Sequence, residues 1–149
     1  MPEQVGSPVR FYQKWAFVLE IEGVAVAGFQ DCGPLKQTAG LIEQHEGGAR
    51  TAVDYSTSKF KTEKVAASRG ASDNDELWQW WVNVKKGNVD KRNCSVVQQD
   101  PAGNPILRWN LPTCSLLSYE GGTFDGKNET ENVIEKIEFQ PLDLDRKTV

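Results

Sequence analysis

The sequence is poor in the residues that carry chemistry. Histidine occurs once in 149 residues, methionine once and cysteine three times. The single histidine, His45, lies in a polar stretch beside Glu46 and Gly47. Without neighbouring His or Cys it makes no zinc site, and without a nucleophile partner it makes no general base. Cys32, Cys94 and Cys114 are odd in number and widely spaced, so they form neither a disulfide framework nor a zinc motif. Nothing around them resembles a nucleophile turn or a thiolate-stabilising helix start. They read as small buried hydrophobes, with an intermolecular disulfide in an exported assembly as the sharper alternative.

Other absences narrow the function further. No run approaches the roughly 20 apolar residues of a membrane span, so no membrane insertion is expected. The opening stretch MPEQVGSPVR has no charged-then-apolar leader, which points to synthesis in the cytoplasm. Lys and Arg total 17 against 21 Asp and Glu, a net charge of −4, and the signs are interspersed. No basic cluster marks a nucleic-acid surface, so sequence-specific nucleic-acid binding is not expected. Gly47-Gly48 and Gly121-Gly122 lack the strand–glycine–helix context of a phosphate cradle. The carboxylates Asp143 and Asp145 sit in a charged terminal stretch rather than on a rigid element. No catalytic residue, cofactor site or metal site is expected, and the chain is not expected to be an enzyme.

What the chain does have is tryptophan on a helix. Residues 72–87, SDNDELWQWWVNVKKG, hold three of its five tryptophans and its one strong amphipathic signal. Leu77, Trp81 and Val84 share a face, with Trp81 at its centre. Trp80 widens that face on one side, and Trp78 and Val82 widen it on the other. Ser72 or Asp73 is the expected N-cap, with Asp75 or Glu76 three residues on. Lys85 and Lys86 suit the C-terminal end of the macrodipole, and Gly87 suits a left-handed cap. Truncating Trp81 is therefore expected to unfold the domain. The helix carries more apolar surface than a small core needs, which marks part of it as an interaction surface.

Everything else reads as strands and turns in a single domain of residues 1–149. Residues 1–14 read as a flexible arm and residues 141–149 as a charged tail. Strands are expected at 15–21, 24–29, 38–46, 62–68, 93–99, 106–111, 115–119 and 131–139. The first two form a hairpin about Glu22-Gly23, broken by residues 31–35 (DCGPL). Residues 38–69 form a long hairpin whose tip, 47–60, is a polar loop. Residues 100–105 (DPAGNP) make a strong turn, and Pro112 ends the strand after it. Alternation puts Val133, Ile137 and Phe139 on one face of the last strand. The fold class is mainly β, an antiparallel β-sandwich or barrel with one flanking α-helix over about 72–87.

An ordered set of motifs resembles the inner tail tube proteins of contractile phage tails and related injection systems. Residues 17–20 followed by Gly23 look like that family's opening hairpin. Gly28-Phe29-Gln30-Asp31 resembles its G-F-x-(D/E) segment, and Glu43, Glu46, Gly47 and Gly48 its E-x-x-E-G-G strand end. Arg69-Gly70 ahead of Asp75-Glu76-Leu77-Trp78-x-Trp80 is similar to its R-G…(D/E)-L-W-x-W helix start. Residues 100–105, the Trp109-Asn110-Leu111-Pro112 strand, and Glu135, Ile137 and Phe139 complete the set over residues 15–140. Residues 55–60 depart from the family's Lys-x-Pro-Gly type stretch.

The resemblance implies a structural tube subunit. Hexameric rings would join their strands into one continuous barrel and stack into a hollow tube, found in a virion tail or an extracellular injection particle. Partners would be further copies of the chain, a contractile sheath, a baseplate hub, a tail terminator, and a tape-measure protein or cargo in the lumen. On that reading Leu77, Trp78, Trp81 and Val82 face a neighbouring subunit. Gly47, Gly48, Arg50, Asp54, Tyr55 and Lys59 reach the next ring, and Lys64, Ala66 and Ser68 face the lumen. The alternatives are a type VI secretion tube protein and a monomeric β-barrel that binds a small ligand.

Overall fold

The computed structural model describes residues 11–24, 28–45 and 53–149; for residues 42–45 and 53–58 it describes the backbone alone. The described chain is mainly antiparallel β-structure with one helix. In order it runs β1 (Phe17–Ile21), β2 (Phe29–Gly33), β3 (Gln37–His45), β4 (Val53–Thr62), β5 (Val65–Gly70), α1 (Glu76–Lys85), β6 (Lys91–Gln99), β7 (Pro105–Glu120), β8 (Ile134–Gln140) and β9 (Asp145–Thr148). A seven-stranded sheet has the order β1-β6-β7-β8-β5-β2, with β9 added to β7, while β3 and β4 form a sheet of their own.

Strand β7 holds the large sheet together. It is 16 residues long, where a break at Pro112 was expected. Its first half pairs with β6 on one side and β9 on the other, and its second half pairs with β8. The break is avoided by a bulge. Cys94 faces Leu111 and Arg92 faces Cys114, so Pro112 and Thr113 together oppose Asn93. Pro112 needs no ladder partner for a missing N–H. Thr113 takes a left-handed φ of 51°, and its N–H is satisfied by the Asn93 side chain at 3.0 Å.

Alternation places the core as β8 announces it. Glu135, Ile137 and Phe139 are buried, while Ile134 and Lys136 are exposed. Leu19 and Ile21 of β1 and Val96 and Cys94 of β6 join them. Strand β1 pairs with β6 from Phe17 to Ile21. Of the expected hairpin the described residues show the Ile21–Val24 bridge, and residues 25–27 lie outside them. Residues 31–33 do not break a strand; they belong to β2, which pairs with β5. Five paired rows along β6 outweigh one tight turn. Residues 53–60, expected as part of the 47–60 loop, extend instead as most of β4. Val, Tyr, Thr and Phe alternate there with polar residues, a composition that suits a strand. The charged terminal stretch also pairs, because Arg146 lies over the Trp109 ring at 5.6 Å while β9 adds its backbone to β7.

Helix α1 starts at Glu76 with Asp75 at the N-cap, three residues later than a cap at Ser72 would give. The Asn74 side chain accepts the Glu76 N–H at 2.9 Å. Gly87 closes the helix with φ +84°, the left-handed conformation expected of it. The helix lies against β7. Leu77 and Trp80 are its buried residues; Trp81, expected at the centre of the face, is half-buried. The contact face is thus centred on Leu77 and Trp80, with Trp81 and Val84 packed partly buried against the core. Trp80 fits because both ends of its ring are satisfied. Its Nε1–H donates to the Asp90 carbonyl at 2.8 Å, and the Arg92 guanidinium sits 5.1 Å from the ring centroid. Arg92 in turn holds the Asp90 carboxylate at 3.1 Å, keeping its pKa below the usual carboxylate value.

Trp80→Ala is expected to cost about 3–5 kcal/mol, the range for deleting a fully buried aromatic, and Trp81→Ala clearly less. Urea denaturation followed by circular dichroism measures both, and a larger loss for Trp81→Ala would refute this packing.

Candidate assembly surfaces

The first surface is built outward from a buried charge. Arg69 of β5 lies directly across from Glu135 of β8. Both face inward, with side chains 2% and 7% exposed. Burying an ion pair costs several kcal/mol per charge unless geometry and further hydrogen bonds compensate. Here Arg69 Nε donates to Glu135 Oε1 at 2.5 Å, and the Tyr119 hydroxyl donates to Oε2 at 2.7 Å. The guanidinium carbon lies 5.4 Å from the Phe29 ring centroid. Its two terminal nitrogens are buried without a hydrogen-bond partner among the described residues, so the Phe29 face and Glu135 are what balance the cation. Burial, and then the bond to Glu135, push the Tyr119 hydroxyl up to about 12.

Tyr119 carries this network to the surface. Its ring meets Trp78 at 5.4 Å between centroids, tilted by 60°. The Lys85 ammonium covers Trp78 at 5.3 Å. Trp78 remains 40% exposed. It is a flat apolar surface whose position is set from the core. Of the four residues expected at a subunit boundary, Trp78 is the most open. Trp81 and Val82 are half-buried, and Leu77 is 1% exposed and belongs to its own core.

The second surface is the β3–β4 hairpin. Nine rows of pairs run from Gln37↔Thr62 to His45↔Val53, with a bulge at Lys59. Gln37 ties its base, donating to Thr62 Oγ1 at 3.1 Å and Asp143 Oδ1 at 2.7 Å, and the Gln140 side chain donates to the Thr62 carbonyl. Beyond that base Leu41 is 66% and Phe60 74% exposed. A two-stranded hairpin with exposed faces is marginal in water unless something packs against it. Of the residues expected to reach another ring, Lys59 is exposed at the bulge. Asp54 and Tyr55 lie in β4 opposite Gln44 and Glu43, with side chains outside the description. Gly47, Gly48 and Arg50 lie outside the described residues.

The third surface is polar. Val65 and Ala67 point into the core and Ala66 away from it, while Ser68, on the side of Ala66, is itself buried at 7% exposure. Ser68 donates to Asp31 at 2.8 Å, and Lys64 bridges Glu138 at 3.3 Å. Asp31, Ala66, Ser68 and Lys136 line a shallow depression of about 300 Å³. Lys64, Ala66 and Ser68 thus border one polar face.

Two features escaped the sequence reading. One is the Arg69–Glu135 pair. Its signal was a carboxylate on the apolar side of an alternating strand, between Val133 and Ile137. The other is a groove of about 640 Å³ lined by Tyr12, Trp15, Phe17, Leu35, Cys32 and Trp109, among others. Trp15 is 66% exposed above it. The groove joins the β1 side of the sheet to β2, and only the tertiary fold brings these together.

Comparison with known proteins gives one family and several folds. Residues 13–143 match the model of the T4-like virus tail tube protein gp19. The fold is shared with a chain in the cryo-EM structure of the anti-feeding prophage cap, with a TM-score of 0.82, 17% identity and 97% of each chain covered. It is shared with a chain of the PVC extracellular contractile injection system sheath–tube complex in the extended state, at 0.80, 18% identity, 97% of this chain and 95% of that one. Hcp1 from Flavobacterium johnsoniae is more distant, at 0.57, 13% identity, 90% of this chain and 96% of that one. No curated protein sequence matches.

Glu135→Gln should cost about 3–5 kcal/mol, because it leaves the Arg69 charge buried without its partner. Tyr119 also predicts an alkaline limit. Its folded pKa lies above the ordinary value of 10.0, so folding favours the protonated hydroxyl. That contribution is complete below pH 10 and disappears as pH rises through about 12. Urea midpoints at pH 8 and near pH 11 should therefore fall further in the wild type than in Tyr119→Phe; equal falls would exclude the linkage.

Proposed function

We propose, from the premise that this chain belongs to the T4-like virus tail tube protein family, that its work is mechanical and resides in the three surfaces described. It is a structural tube subunit of a contractile tail or injection system, not an enzyme, and it acts in a virion tail or extracellular particle. Copies assemble into hexameric rings, the strands of neighbours continue one another's sheets around a lumen, and rings stack. Closing the sheets between copies removes unpaired edges such as those of β1 and β2. A sheath drives the tube forward, a baseplate hub and a terminator bound its two ends, and tape-measure protein or cargo occupies the lumen.

The observation that carries the division of labour is the β3–β4 sheet, which leaves the body with Leu41 and Phe60 exposed. A neighbouring ring covers it. The Trp78 shoulder meets the next subunit within a ring, where a wall of fixed aromatics resists shear. The polar face bordered by Lys64, Ala66 and Ser68 faces the lumen. Its charges are paired laterally, as in Lys64–Glu138, which leaves little to retain a passing cargo.

A type VI secretion tube subunit is the second reading, supported by the Hcp1 likeness in fold. The family match favours the phage-tail branch. A monomeric ligand-binding barrel is not favoured.

Trp78→Ala should fold with a near-native melting temperature yet form few rings in negative-stain images. Wild-type ring yield from that variant would remove the shoulder from the interface. Replacing Leu41 and Phe60 by serine should leave rings but abolish long tubes, and long tubes from that variant would refute the hairpin's role between rings.

A further inference from the structure

The sequence left open an intermolecular disulfide, and the structure redirects that chemistry inward. Cys94 is 2% and Cys114 0% exposed, so neither thiol reaches another chain. Both belong to one core cluster, and both are free thiols. Their approach is a product of the β7 bulge. Leu111 and Cys114 are three residues apart and would point to opposite faces of a regular strand. The extra residue opposite Asn93 restores parity, so both point into the core. Cys114 Sγ then lies 3.1 Å from the Leu111 carbonyl, and Leu111 is the residue directly across from Cys94. The two thiols come from adjacent strands, β6 and β7, and both enter the same core cluster where β7 bends. Cys32 of β2 only borders the cluster.

We propose that Cys94 and Cys114 are a latent disulfide, a modification site that a peroxide closes inside the subunit. One thiol gives up its proton, its thiolate attacks an oxygen of hydrogen peroxide, the O–O bond breaks, and the hydroxide released takes up that proton, leaving a sulfenic acid and one water. The second thiol attacks the sulfenic sulfur, the S–S bond forms, the S–O bond breaks, and a second water leaves. The two sulfurs lose two electrons and the peroxide gains them. The oxidant has to be small, because the pair is enclosed. It also has to act slowly, since the hydrogen bond with Cys114 and then burial push the Cys94 thiol up and keep thiolate scarce. The Cys32 thiol is likewise pushed up to about 12, by burial and then by Asp31. The pair therefore stays reduced in a reducing cytoplasm and closes later in an oxidising one. The chemistry stands without the tube reading; only this timing, in a particle that leaves the cell, rests on it. Closed, the bond would pin β6 to β7 across the bulge.

The test uses the isolated folded subunit, so its outcome does not depend on whether tubes form. Reduced protein is treated with hydrogen peroxide, denatured, capped with iodoacetamide and peptide-mapped. The expected product is a chain about 2 Da lighter before capping, the mass of two hydrogens, and after capping a Cys94–Cys114 cross-linked peptide with a single capped cysteine, Cys32. Dithiothreitol should reverse it, and the oxidised form should melt at higher temperature. Cys32→Ser should keep the rise in melting temperature and Cys94→Ala should lose it. Three capped thiols, a cross-link through Cys32, sulfinic acid at Cys94 or Cys114, or dimers on a non-reducing gel would each overturn the proposal.

Discussion

Strand β7 has to serve three neighbours with one set of backbone groups. It meets β6 and β9 with its first half and β8 with its second. A regular strand of 16 residues would be too straight to do this and still keep one side in the core. The bulge at Pro112 and Thr113 supplies the turn in direction and corrects the side-chain parity at the same place. The Pro112 carbonyl, freed from the regular ladder, accepts the Leu142 N–H at 3.0 Å and so leads the chain toward β9. Without that bend the β1–β6 half and the β8–β5–β2 half would not enclose a common core, and α1 would have no floor for Leu77 and Trp80.

The outward-facing features inherit their positions from this frame. Glu135 is held in β8 by pairing with β7 and β5, and it holds Arg69 on one side and Tyr119 on the other. Tyr119, itself in β7, sets the plane against which Trp78 rests. A surface aromatic fixed by an ion pair and a phenol loses little freedom on meeting a partner. That is a useful property in a subunit whose neighbours are copies of itself and whose assembly has to be stiff. The hairpin contrasts with it. Among the described residues it is tied to the body at its base, by Gln37, Thr62, Asp143 and Gln140.

Much of this was legible in the residues. The alternation of β8, the DPAGNP turn with Gly103 in its left-handed position, the existence of one helix and its closing Gly87 all follow from local chemistry. So did the family, through motifs in order. The misses share a cause. Apolar residues at 77, 78, 80, 81, 82 and 84 surround a helix of ten residues on nearly every side, so periodicity could not choose between Trp80 and Trp81. What chose was Asp90, whose carbonyl accepts the indole N–H of Trp80 from ten residues further along the chain.

Strands β4 and β9 were missed because neither carries a clean apolar alternation in sequence, and Lys59, Phe60 and Lys61 of β4 are exposed. All four residues of β9 are exposed, and it forms because β7 offers it unpaired backbone. By itself, then, the sequence determined a mainly β fold, the helix of residues 76–85 and membership of the tail tube family. These depend on local periodicity, turn chemistry and composition, which act over a few residues. Only the tertiary structure decided which strand pairs with which, which tryptophan is core and which is surface, and that Arg69 and Cys94 find their partners. Those choices are competitions among distant segments for the same backbone groups and the same buried volume, and the sequence of any one segment does not contain its rivals.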